Sequence, residues 1–82
     1  MDYQTLEDWK NAQPFEPFRV VMTDGKWFDI QHPNLLWPGR STVLVGLQDP
    51  GEQPGVFNRY VSVAMLHVVR VEPLAPTVNV NP

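Results

Sequence analysis

Hydrophobic and polar positions near the start of the chain follow a helical period. Three apolar side chains recur at a spacing of three, which places them on one face of a short helix: Tyr3, Leu6 and Trp9. Asp2 and Thr5 are both suitable N-caps, and the helix must end before Pro14. Because about nine or ten residues do not form a stable helix alone in water, residues 1–13 are predicted to be a helix that docks on the rest of the chain.

In residues 18–30, FRVVMTDGKWFDI, apolar and polar side chains alternate instead. This alternation predicts a β-hairpin that turns at Asp24 and Gly25. A two-residue turn would mix core and polar groups on one face. A three-residue loop, with Gly25 as a bulge in the left-handed conformation, pairs Val20 with Phe28 and gives one clean apolar face. We therefore predict the second register, and we assign Asp24 and Gly25 to the turn.

The same register predicts what lies on the opposite face of the hairpin. Arg19 stands across from Asp29, and Val21 stands across from Trp27. Together with Trp37 these residues are predicted to form an outer surface for association, because exposed apolar patches mark interaction sites. Either the chain's own helix or a partner then covers Trp27, and the sequence leaves both possibilities open.

Three later segments are rich in β-branched residues and predict strands: STVLVGL at 41–47, VFNRYVSV at 56–63 and HVVRVE at 67–72. Gly46 marks a bend or a close backbone approach. AMLH predicts a 3₁₀ turn between the last two strands, HPNLLWPGR predicts an irregular crossing, and QDPGEQPG predicts an exposed loop.

A helix followed by five short strands predicts a mainly β fold. We expect a five-stranded SH3-like or Sm-like small barrel over residues 14–72, because closure protects the edges of strands. Residues 73–82 contain three prolines and are expected to be an extended or disordered tail unless a partner orders them.

Composition narrows the class of protein. A chain of 82 residues is one domain and buries only about 60% of its unfolded surface, so oligomerisation would help it. The absence of cysteine excludes disulfides and thiolate metal sites.

The net charge is −3 and the six Lys and Arg residues are scattered, which makes a nucleic-acid partner unlikely. No leader-like or membrane-spanning run occurs, so we expect a soluble, cytoplasmic protein with no membrane partner.

Candidate chemistry is sparse. His32 and His67 lack the spacing of a metal site, and His32 is expected to cap the turn that follows it. Ser41 and Ser62 do not stand in a nucleophile elbow. We therefore predict no catalytic residues, no metal and no cofactor, and hence a protein that is not an enzyme.

The segments PFEPFRVVMTDGKWFDIQHPNLL and YVSVAMLHVVRVEPL resemble a family of short, uncharacterised bacterial proteins. The shared pattern is a helix, Pro-Phe, a strand, Asp-Gly, a strand and His-Pro, followed by strand, turn and strand. The resemblance spans about residues 5–72 and implies no activity. A weaker similarity is to Sm-like proteins, but no Gly follows KWFDI and no Arg-Gly pair occurs near YVSVAMLHVV, so the residues of a uridine pocket are missing.

Three functions follow as hypotheses. The first is a non-enzymatic protein-interaction module that self-associates or binds another protein, as the small size and exposed tryptophans indicate. The second is an Sm-like RNA-binding regulatory protein. The third is a small ligand-binding barrel with a pocket lined by His32, Arg40 or Arg70.

Overall fold

The computed structural model describes residues 1–74 of the chain. In chain order the elements are α1 Tyr3–Lys10, β1 Phe18–Met22, β2 Trp27–Ile30, η1 Pro33–Leu35, β3 Leu36–Pro38, β4 Thr42–Leu47, β5 Arg59–Ala64, η2 Met65–His67 and β6 Val68–Pro73, where η denotes a 3₁₀ turn. Pro73, predicted as the first residue of the tail, ends β6. The prediction for 75–82 lies outside the described residues.

The predicted five-stranded SH3-like or Sm-like barrel is wrong. Residues 1–74 form six strands in two antiparallel three-stranded sheets, ordered β2-β1-β6 and β3-β4-β5, and neither sheet closes into a barrel. The additional strand is β3, three residues inside the segment predicted as an irregular crossing. Such a strand is too short to show alternation, and only its pairing with β4 creates it.

The hairpin register is confirmed. Val20 pairs with Phe28 and Arg19 pairs with Asp29 across β1 and β2. Gly25 has φ +88°, the left-handed conformation that its place in a bulge requires. The side chain of Asp24 accepts a hydrogen bond of 2.9 Å from the Lys26 amide, which holds the loop closed.

The N-terminal helix docks on the core as its apolar face predicts. The Asp2 carboxylate accepts a hydrogen bond of 2.9 Å from the Thr5 amide, so Asp2 is the N-cap. Leu6 is fully buried, and the ring of Trp9 lies 5.4 Å from that of Phe18 on β1. The helix therefore packs against the inward side of β1, which carries Phe18, rather than against the face that carries Trp27.

The two sheets enclose a small core of aliphatic and aromatic side chains: Leu6, Phe18, Val20, Met22, Ile30, Leu35, Leu36, Val43, Val45, Met65 and Val68. The ring of Phe57 packs against Gly46. A Cβ at position 46 would lie 2.5 Å from that ring, so the predicted close approach at Gly46 is confirmed.

The predicted 3₁₀ turn is η2, and it carries the chain from one sheet to the other. No helix within the described residues is long and apolar enough to cross a bilayer.

Candidate functional site

The outer face of the β2-β1-β6 sheet carries four of the five residues predicted for the interaction surface. Arg19 donates hydrogen bonds to Asp29, at 2.7 Å from Nε and 3.2 Å from Nη2. Its guanidinium carbon also lies 4.8 Å from the ring centroid of Trp27, within the range of a cation–π contact. The hydrogen bond to Asp29 raises the pKa of Arg19. Val21 is only 7% exposed, so this valine offers little surface to a partner.

Trp37 lies on the other sheet and has a different environment. Its indole N–H donates to the Asn34 carbonyl at 2.7 Å, and the Lys10 ammonium lies 3.7 Å from its ring centroid. Lys10 also donates to the carbonyl oxygens of Pro33 and Leu36, at 2.8 and 2.6 Å. Burial lowers the pKa of this lysine, against a smaller opposing effect of Glu7. The structure thus gives Trp37 a part in docking the helix and does not bring it to Trp27.

The question of what covers Trp27 is partly answered. Trp27 is 55% exposed, and α1 packs on the core side of β1. The hypothesis that the chain's own helix covers Trp27 is therefore wrong. Trp27 therefore remains a large exposed aromatic side chain at the start of β2.

Phe28, the neighbour of Trp27 on the opposite face of β2, lines a groove between β2 of one sheet and β5 of the other, with a cavity volume of about 510 Å³. Its floor is the half-buried Phe28 from β2 with Val61 and Val63 from β5, and its polar rim is formed by Thr23, Asp24, Lys26 and His67. A second cavity of about 400 Å³ shares Phe28 but lies between Trp27 on β2 and residues 45–47 of β4. We call the first cavity the β2–β5 groove.

Backbone groups along both sides of the β2–β5 groove point into it. The Met22 amide donates to the Lys26 carbonyl at 2.8 Å, and hydrogen-bonded pairs alternate along an antiparallel ladder. The amides and carbonyls of Trp27 and Asp29 are therefore directed away from β1, towards the free edge of β2. The Met65 amide donates to Ser41, and the same argument directs the backbone groups of Ser62 towards the free edge of β5.

The other two sheet edges are protected. The free edge of β3 includes Pro38, which has no N–H, and the Leu36 carbonyl that accepts from Lys10. On β6 the terminal Pro73 likewise lacks an N–H, and the N-terminal amine donates to the Val68 carbonyl at 3.3 Å. Proline and covering groups are the usual means of blocking an edge. The edges of β2 and β5 contain no proline and pair with no strand within residues 1–74, and both edges flank the same groove.

Sequence analysis missed this groove because it assigned Phe28 to the apolar inner face of a closed barrel. Alternation shows which face of a strand is apolar, but it does not show whether a neighbouring sheet covers that face. One signal was available. The strands β2 and β5 lack the proline that stands in β3 and in β6.

Titratable groups elsewhere have structural partners. The His32 ring accepts from the Asn34 amide at 3.0 Å, which confirms its predicted capping role, and the His67 ring lies 3.4 Å from the Thr23 hydroxyl. Arg59 forms an ion pair with Asp49 and thereby lowers the pKa of that carboxyl. Within residues 1–74 no three His, Asp or Glu side chains gather in a way that could hold a metal ion.

Comparisons with protein-family models, with curated proteins and with solved structures find no match to this chain. The resemblance to short bacterial proteins therefore stays a prediction from the sequence, and the function must be argued from the β2–β5 groove itself.

Proposed function

We propose that the protein is a non-enzymatic interaction module that self-associates through the β2–β5 groove. The observation that carries this proposal is that two unprotected strand edges flank one apolar floor, next to a second cavity that the exposed Trp27 borders. Each element alone is common on protein surfaces. Together they supply backbone pairing and apolar burial, with an aromatic anchor beside them, which are the components of strand-mediated recognition.

The charges around the groove largely cancel, which suits a partner surface that carries no net charge at the contact. Asp24 and Lys26 on the rim cancel, and Asp29 is paired with Arg19. A second copy of the chain would therefore meet little like-charge repulsion at the groove. Self-association would also add buried apolar surface to a fold of a size that is marginal alone.

Sedimentation velocity over a wide range of protein concentration tests the proposal. We expect reversible association, and we expect Trp27→Ala to weaken it at least about tenfold, as loss of an interface aromatic does. Leu66→Ser is the matched control, since Leu66 is 80% exposed and does not line the groove. A chain that stays monomeric at every concentration would contradict the proposal. Equal weakening of association by both substitutions would also contradict it.

No observation favours the RNA-binding function over self-association. Three of the six basic residues, Arg19, Arg59 and Arg70, are in ion pairs with carboxylates, so their charge is partly neutralised. Electrostatic binding of RNA is strongest at low salt. Saturable retention of labelled single-stranded RNA at about 50 mM salt would reverse this preference.

A further inference from the structure

We infer that two copies of the chain join by antiparallel pairing of their β2 strands, in the register that sets Phe28 opposite Phe28 and Trp27 opposite Asp29. This pairing rests on the proposed self-association, and it names the strand and the register through which the copies meet. The two β2-β1-β6 sheets then form one continuous sheet with a two-fold axis at Phe28.

The described residues leave space along the β2 edge. The cavity of about 400 Å³ is lined by Trp27 and Asp29, whose side chains face outward, and by Phe28, whose side chain faces inward. A cavity lined from both faces of a strand spans the edge of that strand. Cavities of about 510 and 270 Å³ continue from Phe28 to Lys26, and no strand of residues 1–74 pairs with this edge. The edge of β2 therefore has room for an incoming strand.

Backbone geometry selects one register for a two-fold pair of β2 strands. Within β2 only Trp27 and Asp29 direct their amides and carbonyls to the free edge. An axis centred on Phe28 pairs Trp27 of each copy with Asp29 of the other, so the copies exchange four hydrogen bonds. An axis at Trp27 sets Asp29 opposite Gly25 in the turn. An axis at Asp29 or Ile30 carries Trp27 past the end of the partner strand.

The side chains agree with the register centred on Phe28. Residues opposed in a pair without hydrogen bonds approach closely, so the two Phe28 rings meet on the inner face as a favourable aromatic pair. On the outer face each Trp27 lies beside Asp29 of the other copy, and Arg19 already neutralises that carboxylate. An axis at Asp29 would set two carboxylates opposite each other, which is destabilising. The β2 edge is thus complementary to itself, which selects a second copy as the occupant.

The edge of β5 offers less to a second copy. Its free backbone groups belong to Tyr60, Ser62 and Ala64. The equivalent two-fold pairing centred on Ser62 sets serine opposite serine and Tyr60 opposite Ala64, with no aromatic pair at the axis. Cross-strand aromatic pairs stabilise a sheet more than pairs of small side chains do, so β2 is the favoured edge.

Hydrogen exchange of single amides in the unaltered chain, followed by NMR, tests this pairing without any substitution. We expect the Trp27 and Asp29 amides to exchange at least about tenfold more slowly in the associated state than after dilution, because the second copy accepts their hydrogen bonds. The Tyr60 and Ser62 amides, on the free edge of β5, are the matched control and should change little.

The outcomes separate the β2 pairing from the proposed function. Slowing at Tyr60 and Ser62 but not at Trp27 and Asp29 would place the contact on β5 and overturn the β2 pairing, while self-association stands. If the chain dissociates on dilution and the Trp27 and Asp29 amides are equally protected throughout, the edge is covered within one chain and the pairing is also overturned. A chain that is monomeric at every concentration overturns both.

Cross-linking is a second test, because the chain contains no cysteine. Residues opposed across the axis at Phe28 have Cα atoms about 4.5 Å apart, within the range of about 4.4–6.8 Å that a disulfide spans. Phe28→Cys is expected to form a disulfide-linked dimer under mild oxidation, and Ser62→Cys, the control on β5, is expected to stay unlinked. Linkage of Ser62→Cys alone, or a Phe28→Cys chain that associates but stays unlinked, would overturn the pairing. Circular dichroism verifies that both variants are folded.

Discussion

At the scale of single residues, Gly25 shows how one backbone conformation sets the pairing of a hairpin. Its φ of +88° belongs to the left-handed region, and a Cβ placed there would meet no atom within 4 Å. The requirement for glycine is therefore conformational and not steric. The bulge that Gly25 makes places Phe28 on the inner face and Trp27 on the outer face.

Gly25→Ala is expected to lower the free energy of unfolding by about 1–2 kcal/mol, the cost of a left-handed conformation in an L-residue. Gly25→Asn should cost less, because asparagine tolerates this region better. Urea denaturation of the three proteins measures both differences. An alanine variant as stable as the unaltered protein would show that the hairpin does not depend on this conformation.

Asp2 is a second residue whose effect is local. The hydrogen bond from Thr5 lowers the pKa of the Asp2 carboxyl, so the folded state favours its ionised form. Its contribution to stability is then fully present above the ordinary pKa of about 4 and is lost as the pH falls through the lowered value.

We expect the stability advantage of the unaltered protein over Asp2→Asn to shrink as the pH falls from about 6 to about 2. Asparagine is a good N-cap without a titrating proton, so the comparison isolates ionisation from capping. Thermal unfolding at a series of pH values measures it. A difference that is independent of pH would exclude a role for the charge.

At the scale of elements, Lys10 attaches the helix to the second sheet. Its ammonium caps the carbonyls of Pro33 and Leu36 and lies over the ring of Trp37. A helix of eight residues is not stable alone, so its contacts with the rest of the chain decide whether it forms. The same contacts protect the edge of β3.

Lys10→Met is expected to destabilise the protein by about 1–3 kcal/mol, because it leaves two partly buried carbonyls without a donor while retaining the aliphatic stem. Arg40→Met is the control at an exposed position outside the groove and should change stability little. Urea denaturation and the helical signal in circular dichroism report the effect. Equal stability of the two variants would argue against docking through Lys10.

At the scale of the whole molecule, the protection of the sheet edges is uneven. In the part of the chain that the structure describes, prolines and capping groups close β3 and β6, whereas β2 and β5 remain open along one groove. An unpaired strand edge beside an apolar floor can pair with a strand of another chain. In the proposed self-association, this edge forms a specific contact with a second copy.

If the protein self-associates, its stability must depend on its concentration. We expect the thermal midpoint of the unaltered chain to rise with protein concentration, because association stabilises only the folded state. The midpoint of Trp27→Ala should rise much less. Calorimetry over about a hundredfold range of concentration measures both, and a midpoint independent of concentration in the unaltered chain would count against association.

Features governed by neighbouring residues could be predicted from the sequence. The spacing of apolar residues predicted the helix, and the alternation around the Asp-Gly turn predicted the register of the hairpin. The position of His32 before a proline predicted that its side chain caps the following turn. Features that depend on distant segments could not. The strand β3 exists only because β4 pairs with it, and Trp37 was assigned to an outer patch because the sequence does not show that Lys10 lies against it.

The sequence by itself determined the local conformations of this protein and which side chains are apolar, since both depend on residues close together in the chain. Only the tertiary structure decided that two sheets stay apart where a closed barrel was expected, and that Trp27 is left exposed beside the resulting groove. The physical reason is that strand pairing and burial are interactions between distant segments, and alternation is the same whether or not a partner strand is present.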